Sequence, residues 1–401
     1  MATKPDDALR RIDALVQVAM RLAGSAPSGR IALAKLSCAL EERWIPRPWR
    51  GSVWPELERA QAAAVADPMS AKAVERSLRD AWGGPATDEL DELDTEPVAV
   101  TPTSQVHRGV LDGTDVAVKL LRPGLASAVR QDLALLEGLA GPLAVAFPAL
   151  DPQAILREVR ERVLDELDLE HEAETMRRVR RQLRNHPHLV IPAPATNLAH
   201  SSVLVSEWID GTPLPEASDP DRAAAWLVIF TVGGMRSGLV HADPDPNDVL
   251  ELPDGRLAIL DYGATRPVSR ERADLGLEVV EAYAAGDDEA LGAALEGLGA
   301  LPASQGAQAL ELARTALDEL GEPGISRLDS DAVLAAGRRA AGVPEVTVDL
   351  AMQGALAPED LWPLRGVGLC FGAIARVGAD GDWLELTLRA LRDGWDAVPP
   401  G

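Results

Sequence analysis

The stretch "GLVHADPDPNDVLELPDGRLAILDYGA", residues 238–264, decides how the rest of the chain is read. It sets Asp243 on a tight His-Ala-Asp-Pro turn, follows with a short hairpin, and closes the apolar run Leu-Ala-Ile-Leu with Asp261 before Tyr262 and Gly263. A carboxylate at the end of a buried strand is costly unless a cation or hydrogen-bond donors meet it. Asp243 on its turn can orient or deprotonate an attacking hydroxyl, and Asp261 can hold Mg²⁺ against phosphates. Asp248 adds an oxygen suited to a hard cation. A calcium loop is the competing reading, because Asp243, Asp245, Asn247 and Asp254 fall at loop positions 1, 3, 5 and 12 of an EF-hand. Against it stand Asp248 where that loop needs Gly, and the stiffening prolines Pro244 and Pro246.

Working outward, residues 98–119 alternate and are rich in β-branched side chains, with "LDGTD" as a turn between two strands and Lys119 at the end of "VAVK". An ammonium there can neutralise phosphates if a carboxylate on the next helix holds it in place. The acidic run "ELDLEHEAET" offers Glu166, Asp168, Glu170, Glu172 and Glu174. Read as one helix, it makes Glu166 and Glu170 neighbours one turn apart, with Glu172 about 240° round from Glu166. "SSVLVSEWIDGTPL" reads as a buried strand leaving through Glu207 and Trp208 into a Gly turn, and a core helix is expected over 221–237. Residues 6–85 carry apolar side chains at helical spacing, 126–185 return to helix with a break at "FPALDPQ", and helices dominate after Thr265. The order predicts an α+β fold of two lobes with a cleft: a helical extension over 1–85, a small-sheet lobe over 86–207 and a helical lobe over 208–401.

Composition narrows the function. Hydrophobic residues make up 46% of the 401, so a packed core is expected. A net charge of −24 argues against a general nucleic-acid or anionic-membrane binder, which needs the opposite sign. Two scattered cysteines, Cys38 and Cys370, make neither a disulfide framework nor a zinc site, and imply a reducing, cytoplasmic setting. The start, "MATKPDDALRRIDALVQVAM", is amphipathic and carries acids, unlike a signal peptide. The apolar runs near 139–150 and 223–235 are shorter than the roughly 20 residues a spanning helix needs, so no transmembrane anchor is expected. Amphipathic N-terminal helices leave peripheral membrane or partner contact open.

Taken together, these motifs resemble the ABC1/AarF/UbiB atypical kinase-like proteins, over residues 31 to 386. "SQVHRGVLDGTDVAVKLLRPGL" is similar to the family's Gln-Val-His strand pair and Val-Ala-Val-Lys, "ELDLEHEA" to its Glu-x-Asp and helix-C Glu, and "VLVSEWIDGTPL" to its hinge strand. "GLVHADPDPNDVL" and "LAILDYGA" resemble its catalytic and metal loops. The resemblance implies a bilobal protein-kinase-like fold binding ATP with Mg²⁺ or Mn²⁺. It makes Lys119 the phosphate-binding Lys, Glu172 its partner, Asp243 the catalytic-loop Asp, and Asp261 and Asp248 the metal ligands. Glu166 and Asp168 become the Glu-x-Asp pair. Adenine is expected at the backbone of Glu207, Trp208 and Ile209, with Ser206 behind.

The sequence departs from that pattern in three places. The family's Lys-x-Gly-Gln appears as "KLSC", keeping Lys35 alone. Its Ala-rich nucleotide loop reads Ala99-Val100-Thr101-Pro102, where Pro102 has no N–H for a phosphate. The metal-binding Asn becomes Asp248, unless a one-residue shift brings in Asn247. An added charge beside phosphates is repelled by roughly 4 kcal/mol at about 4 Å and an effective dielectric near 20, which a metal offsets. Tighter metal dependence is therefore expected. A helix starting near Arg270 leaves no activation segment to dock a peptide, so the expected substrate is a small molecule or lipid-like intermediate. The resemblance implies a link to quinone or isoprenoid-lipid biosynthesis. The alternative is a nucleotide-binding pseudokinase scaffold that supports a partner biosynthetic enzyme.

Overall fold

The computed structural model describes residues 42–400 apart from 46, 65, 66, 137, 139, 147 and 148. Lys35, Cys38 and the helices expected over 6–41 lie outside the described residues.

The N-terminal lobe grows from the Leu-Asp-Gly-Thr turn. Asp112 (φ 50°) and Gly113 (φ 73°) both take left-handed backbone, as a two-residue hairpin turn requires, and Gly accepts it without strain. Helices α1 (Arg47–Ala64) and α2 (Ala71–Trp82) precede the short strands β1 (Glu92–Leu93) and β2 (Ala99–Val100). The hairpin itself joins β3 (Ser104–Leu111) to β4 (Thr114–Leu121). There follow α3 (Leu125–Leu136), α4 (Ala140–Ala146), α5 (Pro152–Asp165), α6 (Leu169–Gln182), β5 (Leu189–Val190) and β6 (Val203–Glu207). The sheet runs β1-β3-β4-β6, all antiparallel, with β2 also paired to β3. Alternation along β4 buries Val116, Val118 and Leu120 against Val74 and Leu78 of α2, and turns Lys119 to the opposite face.

The second lobe begins with β7 (Thr212–Pro213) and α7 (Pro220–Arg236). Helix α7 is apolar nearly all round and is accordingly enclosed, with Leu227, Val228 and Ile229 fully buried. Next come β8 (Leu239–His241), β9 (Val249–Glu251), β10 (Leu257–Ile259) and β11 (Thr265–Pro267). β9 and β10 form the expected hairpin, while β11 pairs with β8. The chain then runs through α8 (Arg270–Ala285), α9 (Asp288–Gly297), α10 (Gly306–Leu317), β12 (Ser326–Leu328), α11 (Ser330–Ala341), α12 (Pro344–Gln353), α13 (Leu361–Val377), β13 (Ala379–Gly381) and α14 (Trp383–Asp393). This is the α+β, two-lobed architecture the sequence predicts. The antiparallel β12–β13 pair inside the helical lobe was not expected.

One local reading is corrected. "ELDLEHEAET" is not a single helix: α5 ends at Asp165, Glu166 caps it, and α6 restarts at Leu169. Asp168 causes the break by turning its carboxylate onto the N–H groups of Glu170 and His171, an N-cap that a continuous helix would forbid. Glu166 and Glu170 are therefore not neighbours on one helix face.

Candidate phosphate and metal site

Lys119 leaves β4 on the cleft side and meets acids from both lobes. Its Nζ donates to Glu172 Oε1 at 2.9 Å and Oε2 at 3.0 Å, and to Asp261 Oδ2 at 3.2 Å. The α6 restart set by Asp168 carries Glu172 inward, where it is 2% exposed and also accepts the Tyr262 N–H. Burial pulls the Lys119 ammonium down, but Asp261 and Glu172 outweigh it and hold the group above its usual range. Burial pushes the Glu172 carboxyl up against the opposing pull of Lys119. An ammonium held by two carboxylates at the end of a strand can turn its donors toward phosphate oxygens as a third anionic partner.

The turn bearing Asp243 is fixed from both sides. His241 donates its Nε2–H to the Asp261 carbonyl, which sets the tautomer and leaves Nδ1 to accept the Asp243 N–H at 3.4 Å. Burial pushes the His241 pKa down, in keeping with a neutral ring. On the other side α13 lies so close that a Cβ on Gly366 would sit 2.5 Å from the His241 carbonyl oxygen. The neighbouring Arg365 donates Nη2 to Asp243 Oδ1 at 2.8 Å.

Asp261 is 40% exposed, and its Oδ1 accepts the Gly263 N–H at 2.9 Å. Burial, then the Asp261 and Asp245 carboxylates, push the Asp248 carboxyl up to about 8. A carboxyl held on its proton by facing carboxylates gains from a divalent cation. Among the described residues no group of three His, Cys, Asp or Glu side chains forms a metal cage. Mg²⁺ is commonly held by one or two carboxylates with phosphates and water completing the shell. Asp261 and Asp248 fit such a site. Asn247 is exposed, and its side-chain Nδ2 donates to Asp245 Oδ1 at 2.9 Å. The calcium loop is excluded: strand β9 lies between its two ends, and Asp254 sits at the tip of the β9–β10 hairpin, paired with Arg256 at 2.7 Å.

Elsewhere the predicted residues divide. Ala99 lies on β2 opposite Val106, and the turn after it folds upon itself. Thr101 N–H donates to the Ser104 carbonyl, and Thr101 Oγ1 accepts from Thr103 N–H at 3.3 Å and Ser104 N–H at 2.9 Å. With Pro102 lacking an N–H, every backbone amide from Thr101 to Ser104 is absent or engaged. At the hinge, Glu207 N–H donates to Ala193 and Trp208 N–H to Asp115, so an adenine contact falls to the other backbone groups of Glu207–Ile209. The Trp208 ring lies 5.0 Å from the Arg108 guanidinium. Ser206 stands on β6 opposite Ala117. Asp168 is a helix cap, whereas Glu166 faces Arg266 at 3.4 Å and Arg365 at 4.0 Å.

Sequence reasoning missed Arg365, Arg266 and Trp362. The available signal was a lone charge early in an apolar helix, "LWPLRGVGLCFGAIA", since such a charge must find a partner.

A family model described as the ABC1 atypical kinase-like domain matches residues 62–295, more than half of the chain. An uncharacterized chloroplastic aarF domain-containing protein kinase of Arabidopsis thaliana is 30% identical over 264 residues, 65% of this chain and 38% of that protein. A probable protein kinase UbiB of Marinobacter nauticus is 31% identical over 206 residues, 47% of this chain and 37% of that protein. The chain thus spans well under half of each of these two relatives. Rv3197 of Mycobacterium tuberculosis, solved in complex with erythromycin, shares the fold with a TM-score of 0.62 at 23% identity, covering 88% of this chain and 89% of that one. On the family match and the fold together, the chain belongs to the ABC1 atypical kinase-like family.

Proposed function

We propose that the chain is an ATP- and divalent-metal-dependent atypical kinase or ATPase acting on, or supporting, small-molecule or lipid-like biosynthesis. The observation that carries this reading is the meeting of Lys119 with both Glu172 oxygens and Asp261 across the two lobes. Lys119 would bind the nucleotide phosphates, with Glu172 holding it in place. Mg²⁺ or Mn²⁺ held by Asp261 and Asp248 would supply positive charge at the phosphates. Asp243 would orient the acceptor hydroxyl, or a water in the ATPase reaction. In that step the acceptor oxygen bonds to the γ-phosphorus, the bond to the β–γ bridging oxygen breaks, ADP leaves with that electron pair, and the acceptor proton passes to Asp243 or solvent.

The short path after Asp261 supports a non-peptide acceptor. β11 pairs at once with β8 and α8 begins at Arg270, leaving no length for a peptide-docking segment. The UbiB and aarF names of relatives support a role beside lipid-like biosynthesis. No helix among the described residues is long and apolar enough to cross a membrane. A cytoplasmic protein with peripheral membrane or partner contact is the setting we propose, although the Arabidopsis relative is named chloroplastic.

The self-bonded turn after Ala99 favours a second reading, a pseudokinase scaffold whose shape a partner enzyme reads. Steady-state ATPase of the wild type and Asp243→Asn separates the two. Enzyme function predicts turnover in the wild type that falls about 10²- to 10⁴-fold in the variant while nucleotide binding persists. Binding without turnover in either protein supports the scaffold. If millimolar ATP fails to raise the melting temperature with or without Mg²⁺ or Mn²⁺, both readings fall.

A further inference from the structure

We propose that Arg365 is a positioning residue for phosphoryl transfer, supplying from helix α13 a cation that the segment 243–248 does not itself carry. The inference rests on the functional reading above. The segment Asp243-Pro-Asp-Pro-Asn-Asp248 carries three carboxylates and no Lys or Arg, while Lys119 is committed to Glu172 and Asp261. A carboxylate that must work beside a polyphosphate is repelled by it unless a neighbouring positive charge offsets the repulsion. Arg365, 28% exposed, provides that charge at 2.8 Å from Asp243 Oδ1.

The guanidinium is held in orientation by more than this pair. Its other terminal nitrogen lies 4.0 Å from Glu166 Oε1, and its carbon lies 5.5 Å from the centre of the Trp362 ring. The same indole faces Arg266 at 5.4 Å and donates its N–H to Glu158 at 3.1 Å. Arg266 in turn donates to the Gly263 carbonyl at 3.0 Å and the Arg162 carbonyl at 2.9 Å. One helix therefore braces the Asp243 turn, the segment following Asp261, and the end of α5 that leads into Glu172. The close seat of Gly366 on the His241 carbonyl fixes the height of this brace. A planar, permanently charged guanidinium suits a site that stacks on indole and lies between two carboxylates, and a lysine ammonium does not reproduce that geometry.

Steady-state ATPase of the full chain tests this with wild type, Arg365→Ala, Arg365→Lys and the near-isosteric Arg365→Gln. Misplacing Asp243 should lower kcat about 100-fold in Arg365→Ala. KM for ATP should stay within about twofold, since ground-state binding is not its task. Arg365→Lys should recover less than about a tenth of the wild-type kcat. Low-millimolar guanidinium chloride should raise kcat of Arg365→Ala and leave the wild type unchanged. A kcat within about threefold of wild type in Arg365→Ala overturns this inference and leaves the functional reading standing. A loss that tracks a falling melting temperature, with no guanidinium rescue, or failure of both Arg365→Ala and Arg365→Gln to fold, makes Arg365 structural and also overturns it. A wild type with no turnover above Asp243→Asn removes the enzyme reading and this inference together.

Discussion

Ala99, Val106 and Lys119 stand in one row across the N-terminal sheet, yet the two ends of that row are prepared for phosphate in opposite ways. At the Lys119 end, charged side chains from both lobes converge, and each brings a partner. At the Ala99 end, the turn has closed on itself, with Thr101 Oγ1 and the Ser104 carbonyl accepting the amides that an open turn would offer to a ligand. Arg122 fixes this closed form by donating to the Thr101 carbonyl at 2.9 Å. The difference teaches that recognition here is carried by side-chain charge and metal rather than by a backbone cradle.

The strongest way to break that contrast is Lys119→Met. It strands Glu172, 2% exposed, and should cost about 3–5 kcal/mol in urea unfolding, as loss of one partner of a buried pair does. Adding Glu172→Gln should restore much of the loss, and an undiminished cost in the double variant would show that the pair is not the cause.

A smaller effect is expected at Asp248. Its folded pKa of about 8 lies above the ordinary 3.8, so between those values the metal-free native state holds a proton that the unfolded chain does not. Stability from this group is present below about pH 4 and is lost as pH rises toward 8. Metal must displace that proton, so Mg²⁺ affinity should climb with pH toward 8, by up to about tenfold per unit. Asp248→Asn should flatten this dependence in metal-titrated melting curves and weaken the metal. An unchanged slope would remove Asp248 from the metal site.

Least is expected of Thr101→Val, which releases the Thr103 and Ser104 amides. It should cost about 1 kcal/mol of stability and change the Kd for ATP less than about threefold. Tightening well beyond that, read by calorimetry, would mean that the closed turn restrains a nucleotide cradle.

Much of this was legible in the sequence, for identifiable reasons. The hairpin at Asp112-Gly113, the strand bearing Lys119 and the Asp261 strand end are written in local patterns of period two and turn chemistry. The break at Asp168 was also local, but its capping carboxylate was hidden inside a run that satisfies helical spacing. The engagement of Thr101 with Ser104 was beyond composition, because hydroxyl direction is a geometric fact. Arg365 and Trp362 were missed for another reason: their partners are far away in the chain, at Asp243 and Arg266, and no periodicity reports such distances. The calcium reading was already opposed in the sequence by Asp248, Pro244 and Pro246, whereas the strand β9 that parts its ends is not visible in a count of oxygens along the chain.

The seat of α13 on the Asp243 turn also sets an order of events during synthesis. Asp243 and Arg365 are 122 residues apart, and the ribosome delivers the acid long before the base. Domains fold largely as they emerge from the N-terminal side. The nascent chain can therefore build the Lys119 sheet and the β9–β10 hairpin early, but it cannot complete the surroundings of Asp243 until α13 has been made. Translation arrested near the end of α12 would release a protein with its phosphate-facing lysine in place and its reactive turn uncovered.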